Sequence, residues 1–393
     1  MKRKLSTTVL IISVIGMMIM GISLGIVNKT KVQLEDLEGN RDGMGDMSFL
    51  LQARKGSYET DEILINKDSE KIKRKAKEGY YIGNLTKENI ENRDLLEYVS
   101  FENNIFESDN EIGSIYASNG FYDDKTNETV VKVTLKNKEN NKITEYEMVV
   151  EEGLYKSPYD RYVAVPIKIE KDFLHVAILY SQYDDEDKPS GPTMLNLYKL
   201  NLTNETSQKI LSKEYEPNDV NIKGDFENFA FSKDNKVYFL VNKSNEKDKQ
   251  QSPSLLEFDI ISKDIEFINL DKMDHIINKY YLEGDEVLLL PSEDSISTSI
   301  NAVLVNLKDK KVEYKQNLDL DYDGSDLSII QARRYNNKIY MVTSEYVYDN
   351  YKQKNNCYIT VFDEKTSEKL YRGKLKFNTS ASVNAGIVKD DEI

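Results

Sequence analysis

The sharpest local signal of ligand chemistry in the sequence is Asp319-Leu-Asp321-Tyr-Asp323-Gly324-Ser325-Asp326. Calcium takes about six to eight hard oxygen ligands, and a D-x-D-x-D-G run supplies three carboxylates at alternate positions with a glycine for the sharp bend. Asp326 adds a fourth acid, while the bidentate Glu that closes an EF-hand loop is missing, because Ile330 stands at that position. Asp319, Asp321, Asp323 and Asp326 are therefore the candidate calcium ligands. A second reading stands beside it: Leu318, Leu320 and Tyr322 alternate with the acids, as in a strand with one wet face that ends in an Asp-Gly turn.

Other chemistry is sparse. The two histidines, His175 in an apolar run and His275 in a polar connection, sit in no triad or zinc motif. The sequence contains no H-E-x-x-H pair or phosphate-binding glycine loop. Cys357 is the single cysteine, so neither an intramolecular disulfide nor a cysteine-rich zinc site can form, and it reads as a small packed apolar residue. Tyr183-Asp184-Asp185-Glu186-Asp187-Lys-Pro-Ser-Gly-Pro192 reads as an acidic inserted loop, able to grip a cation or a basic partner or simply to be solvated. Tyr346, Tyr348 and Tyr351 read as loop tyrosines whose broad rings and polar tips suit a contact surface.

What positions these residues begins at the N-terminus. Leu5 to Val27 carries no charge and is long enough to span a hydrocarbon core of roughly 30 Å. Lys2, Arg3 and Lys4 precede it, which places residues 1–4 in the cytoplasm, 5–27 in the membrane as a signal anchor, and the rest outside. A cleaved signal peptide is the alternative, but the apolar run exceeds the usual h-region and no A-x-A pattern follows. Residues 28–46 are polar, hold Gly39, Gly43 and Gly45, and read as a stalk. The formal charge is −15, and removing the three leading basic residues leaves −18 on the exported part. Nucleic acid is excluded as a partner on that ground, since phosphate binding needs a basic face. Abundant Lys, Asn, Ile and Tyr with no Trp suggest an AT-rich bacterial genome.

From Met47 onward, short β-branched and aromatic runs alternate with polar turns, while Asn84–Tyr98 is the best helical candidate and is short. One pattern recurs: strand, Asp/Asn/Gly turn, apolar strand. It reads Phe229-Ala-Phe-Ser-Lys-Asp-Asn-Lys-Val237, Lys279-Tyr-Tyr-Leu-Glu-Gly-Asp-Glu-Val287 and Gln331-Ala-Arg-Arg-Tyr-Asn-Asn-Lys-Ile339, with weaker copies at Met47, Ile112, Phe173 and Ile393. The spacings are 65, 61, 64, 50, 52 and 54 residues, the length of a four-stranded blade. The array resembles β-propellers as an architecture over residues 47–393, without any named family signature. The first unit starts at its second strand, and the C-terminal Ser382–Ile393 supplies a first strand and stops. The expected fold is thus all-β, a six-bladed propeller closed by the C-terminal strand; a chain truncated inside a seventh blade is the competing account. The aspartate run resembles the calcium loops of integrin-type propellers, departing from them in that Asp326 comes one position early.

This organisation implies a membrane-tethered extracytoplasmic protein that binds an unknown protein or small ligand, as accessory to a transporter or signalling system. The alternative is an extracytoplasmic hydrolase or lyase working with paired carboxylates in the central funnel. Lack of Trp argues against a quinone-cofactor propeller or a sugar-stacking lectin.

Overall fold

The computed structural model describes residues 32–55, 59–74, 105–119, 128–152, 160–186, 188–217, 219–222, 230–244, 251–270, 277–291, 299–321, 327–349, 352–377 and 382–390. In chain order, β1 (Val32–Gly39) and a 3-10 turn (Arg41–Met44) precede β2 (Met47–Lys55), β3 (Glu59–Ile65) and β4 (Glu70–Arg74). There follow β5 (Ile105–Glu107), β6 (Glu111–Asn119), β7 (Glu128–Asn137) and β8 (Ile143–Glu152), then β9 (Arg161–Glu170), β10 (Phe173–Tyr183), β11 (Pro189–Asn201) and β12 (Thr206–Tyr215). Next are β13 (Val220–Asn221), β14 (Ala230–Lys233), β15 (Lys236–Ser244), β16 (Gln251–Asp259) and β17 (Ile265–Asn269), and β18 (Ile277–Glu283), β19 (Glu286–Pro291), β20 (Ser299–Asn306) and β21 (Lys311–Asp319). The last are β22 (Leu327–Tyr335), β23 (Lys338–Asp349), β24 (Lys352–Asp363), β25 (Lys369–Phe377) and β26 (Ser382–Lys389).

The described strands pair into six antiparallel sheets. Sheet I is β26-β2-β3-β4, sheet II β5 to β8, sheet III β9 to β12, sheet IV β13 to β17, sheet V β18 to β21, and sheet VI β22 to β25 with β1 added outside β25. Second strands are buried on both faces, and their sequences are unbroken apolar runs: Val176–Tyr180 in β10, Val237–Val241 in β15 and Val287–Leu290 in β19 are all buried. Outer strands have one wet face and alternate instead, as in the Lys311–Asp319 strand with its Val312, Tyr314 and Gln316 turned inward. The recurring turns between first and second strands are two residues long and hold left-handed backbone at Lys171, Asp234, Gly284, Asn336 and Asn337. Asn, Asp and Gly tolerate that conformation best, which is why the repeat is legible at these turns.

Neighbouring sheets bury a common core. Sheets II and III join through Val131, Val133, Val176 and Tyr198; sheets III, IV and V through Leu179, Phe239, Leu255 and Leu289. Sheets V and VI join through Leu304, Leu318, Met341 and Phe362, and sheets VI and I through Phe49, Ile63, Tyr340 and Val342. The architecture is propeller-like in this sense: antiparallel sheets of four or five strands, with sheets II to VI each stacked on the next in chain order and sheet VI stacked on sheet I. The C-terminal strand β26 pairs with β2, Met47 opposite Lys389 and Arg54 opposite Ser382, so both ends of the array build sheet I.

The segment expected as a polar stalk is built into the fold from Val32 on. Strand β1 lies antiparallel to β25, with Val32 opposite Phe377 and Gly39 opposite Tyr371, and Leu34 is buried against sheet VI. Gly39 (φ +74°) ends the strand where a Cβ would stand 2.2 Å from the Leu370 carbonyl oxygen, so only glycine fits. Arg41 then ties the segment down, donating to Asp36 at 2.8 Å and to the Leu34 carbonyl at 3.0 Å. The apolar run 5–27 and the helical candidate Asn84–Tyr98 lie outside the described residues, among which no helix is long and apolar enough to cross a membrane.

Candidate functional site

The candidate calcium run straddles the end of β21. Asp319 is exposed and its Oδ1 accepts from the Asp321 backbone N–H at 2.9 Å, a local turn that puts Asp321 at φ +48°. The Asp321 carboxylate accepts from the Lys369 ammonium, which sits 3.3 Å from Glu38, and lies 4.0 Å from Arg372. The Lys369 hydrogen bond, opposed in part by burial, holds the Asp321 carboxyl below its ordinary range. Asp323 and Asp326 lie outside the described residues. Among the described residues, no three His, Cys, Asp or Glu side chains gather closely enough to hold a metal ion.

The other singled-out residues fall as follows. Much of the acidic stretch is strand: Tyr183 ends β10 and Pro189–Pro192 open β11, and between them the Asp184 Oδ1 accepts from the Glu186 and Lys188 N–H groups at 3.0 and 2.9 Å, while Asp187 lies outside the described residues. Tyr346 and Tyr348 belong to β23, paired with Asn355 and Gln353, and are not loop residues. The strand runs on to Asp349, seven residues past Val342, where the unbroken apolar run ends. Tyr351 and His275 lie outside the described residues. His175 is half-buried in β10 with no hydrogen-bond partner for Nδ1, and burial holds its imidazole below the usual range. Cys357 is fully buried, and burial pushes its thiol up to about 12, so it packs and does not react.

Two kinds of polar cluster appear that sequence reading did not find. The first lies where sheets III and IV meet, at the start of β9. The buried Asp160 accepts from the Tyr180 hydroxyl at 2.6 Å and from the Tyr183 N–H at 3.0 Å. The Arg161 guanidinium stacks 4.2 Å over the Tyr183 ring, whose hydroxyl donates to the Ile222 carbonyl of the next sheet. Ser181 shares a 2.7 Å hydrogen bond with Thr193 and accepts from the Ile222 N–H at 3.2 Å. The second kind is a buried carboxylate at a sheet boundary. Glu364, 4% exposed, meets Arg334 Nε at 2.9 Å and accepts from the Tyr314 hydroxyl of sheet V at 3.0 Å. Glu257, 3% exposed, meets Lys236 at 2.7 Å and Lys310 of sheet V at 3.1 Å. Half-buried Glu151 does the same at the boundary of sheets II and III, accepting from the Tyr198 hydroxyl and from Lys209 of sheet III, the latter at 2.5 Å.

Each of these carboxylates faces a cation and accepts a hydrogen bond or ion pair from a neighbouring sheet. Charge-assisted bonds of this kind lock sheet against sheet, and removing one partner of a buried pair is costly. Their effect on the partners is visible in Tyr198 and Tyr314, whose hydroxyls are raised well above the ordinary range, by burial first and by the facing Glu second. The arrangement can position sheets; it does not leave a paired acid and base facing each other for proton transfer.

No family model matches the chain, and no curated protein matches it. Among solved structures it is similar to TolB from Acinetobacter baumannii, at 9% identity and TM-score 0.31, over 87% of this chain and 67% of that one. It is also similar to Kuenenia stuttgartiensis hydrazine synthase, at 12% identity and TM-score 0.31, over 64% of this chain and 62% of that one. At that overlap, the fold rests on this chain's own sheets and cores.

Proposed function

We propose that this chain is a membrane-tethered, extracytoplasmic binding protein, built as a six-bladed propeller in which β26 closes the ring and sheet I meets sheet II. Residues 5–27 hold it in the membrane, and the propeller-like domain, 47–393, engages a protein or small ligand, in the manner of an accessory to a transporter or signalling system. One observation carries the choice of binding over catalysis: the buried carboxylates Glu257 and Glu364 and the half-buried Glu151 are each engaged by a cation or hydroxyl of the adjacent sheet, where their chemistry is cohesion. A calcium ion at Asp319, Asp321, Asp323 and Asp326 belongs to the same proposal and requires Lys369 to release Asp321.

The test is crosslinking in living cells, with a photoactivatable residue replacing exposed Glu186, Asn204, Lys263 or Lys365 one at a time. The expected result is a discrete adduct from one end of the sheets and not from the other. Adducts from none of the positions, or an indiscriminate smear from all four, would overturn the binding reading; recovery of the protein from the cytosol would overturn the tether.

A further inference from the structure

The direction of β1 decides which end of the sheets the tether reaches. Val32 lies opposite Phe377, at the end where β25 leaves for β26, and Ser382 of β26 lies opposite Arg54, where β2 leaves for β3. This is the loop end, from which the connections between second and third strands and between successive sheets depart. The opposite, turn end carries the two-residue turns at Lys171, Asp234, Gly284 and Asn336. Contacts between sheets match loop end to loop end and turn end to turn end. Tyr162, at the start of β9, donates to the Ala117 carbonyl near the end of β6 at 2.7 Å. At the other end Lys233 pairs with Asp285, and Arg333 donates to the Ile387 carbonyl at 2.9 Å.

Only Asn28, Lys29, Thr30 and Lys31 separate the apolar run from Val32. Fully extended, those steps reach about 18 Å. A strand such as β23, with 12 residues, rises about 36 Å. The link is therefore half as long as the sheets are tall, and the chain enters β1 already heading from loop end to turn end.

We propose that the protein is held with its loop end toward the bilayer and its turn end outward, so that the loop end is the surface presented to a partner in the same membrane. This rests on the reading of residues 5–27 as an uncleaved span. The exposed residues described at the loop end of sheet III set four acids, Asp185, Glu186, Glu216 and Asp219, against Lys188, which pairs with Glu186, and this acidic balance makes anionic headgroups a poor match. They complement a basic extracytoplasmic segment of an integral membrane protein.

The experiment is energy transfer from single labels on the full chain to a headgroup-bound acceptor in phosphatidylcholine vesicles, with and without phosphatidylglycerol. Ser190→Cys marks the loop end of sheet III, Asn204→Cys its turn end, and Lys365→Cys the turn end of sheet VI; buried Cys357 stays unlabelled. Strong transfer from position 190 and weak transfer from 204 and 365 is expected, unchanged by phosphatidylglycerol. Equal transfer from 190 and 204 means an edge-on protein, and stronger transfer from 204 and 365 an inverted one; either overturns the orientation while leaving the tether intact. Closer approach of position 190 with phosphatidylglycerol overturns the protein-partner assignment in favour of lipid. A chain that fails to float with the vesicles overturns the tether, and the orientation with it.

Discussion

Ile387 lies toward the turn end of β26, opposite Phe49 of β2, 3% exposed and packed with Phe49, Ile63, Tyr340 and Val342. If β26 completes sheet I and so couples the two ends of the array, Ile387→Ala must cost what a core truncation costs, about 2–5 kcal/mol. Unfolding entropy of roughly 2.1 cal/mol/K per residue gives a cooperative unit of this size about 0.7 kcal/mol/K. The expected fall in Tm is then roughly 3–7 °C. Ile261, 69% exposed in the β16–β17 turn, is the matched control, and Ile261→Ala should move Tm by less than about 1 °C. Removing Ser382 onward should do more than Ile387→Ala. It takes away eight register pairs and the Ser48 to Asp390 hydrogen bond, and it leaves the edge of β2, with buried Met47, Phe49 and Leu51, open to pairing with another chain. Thermal unfolding of the full chain in detergent by circular dichroism, with light scattering alongside, is the assay. An Ile387→Ala protein melting within 1 °C of the parent would refute the coupling, because a strand that merely frays at a terminus carries no such cost.

Gly39→Ala places a side chain on left-handed backbone and into the Leu370 carbonyl, so it should free β1 from β25 and expose residues 32–46 to limited proteolysis, with a loss of about 1–3 kcal/mol. Glu364→Ala leaves half-buried Arg334 with Glu286 alone and takes the carboxylate acceptor from the Tyr314 hydroxyl, so it should cost about 1–3 kcal/mol, read as a lower denaturant midpoint. Lys369→Gln frees the Asp321 carboxylate, so calcium should raise Tm more in that variant than in the parent, and equal responses would remove the aspartate run as a calcium site. His175 is held below its ordinary range by burial, so the unfolded chain takes up its proton first as the pH falls. Stability at that residue is full above about pH 6.5 and declines below it, and His175→Gln should flatten the slope of Tm against pH between about 5 and 7.

The parts of the fold legible in the sequence are those with local causes. Asp234, Gly284, Asn336 and Asn337 mark the two-residue turns because few other residues tolerate that backbone, and the strands after them are apolar without interruption because both faces are covered. Strand β1 was hidden by the same logic. Leu34 is its single deeply buried side chain, Leu37 points outward, and Glu35, Asp36 and Glu38 give the segment the look of a solvated linker. An outermost strand needs one apolar contact and a free ladder on its neighbour, and the ladder of β25 cannot be seen from Val32 to Gly39.

The polar clusters were illegible for a different reason. Asp160 depends on Tyr180 and Tyr183 in the next strand, while Glu257 depends on Lys310 and Glu364 on Tyr314, residues about fifty positions away that reach them only because one sheet stacks on the next. The period of the repeat is about that same interval, so an acid in one blade and a cation or hydroxyl one period away are candidates for a boundary pair. The acids in the sequence far outnumber the boundary pairs, and what separates Glu364 from a surface glutamate is burial beside Arg334 and Tyr314. The aspartate run shows the converse: Asp319 and Asp321 have the spacing of ligands, yet the strand order that brings β25 beside the outer edge of sheet V sets Lys369 against Asp321. Spacing proposes a ligand set, and the charges of the neighbouring sheet decide whether a cation from solvent or one from the chain occupies it.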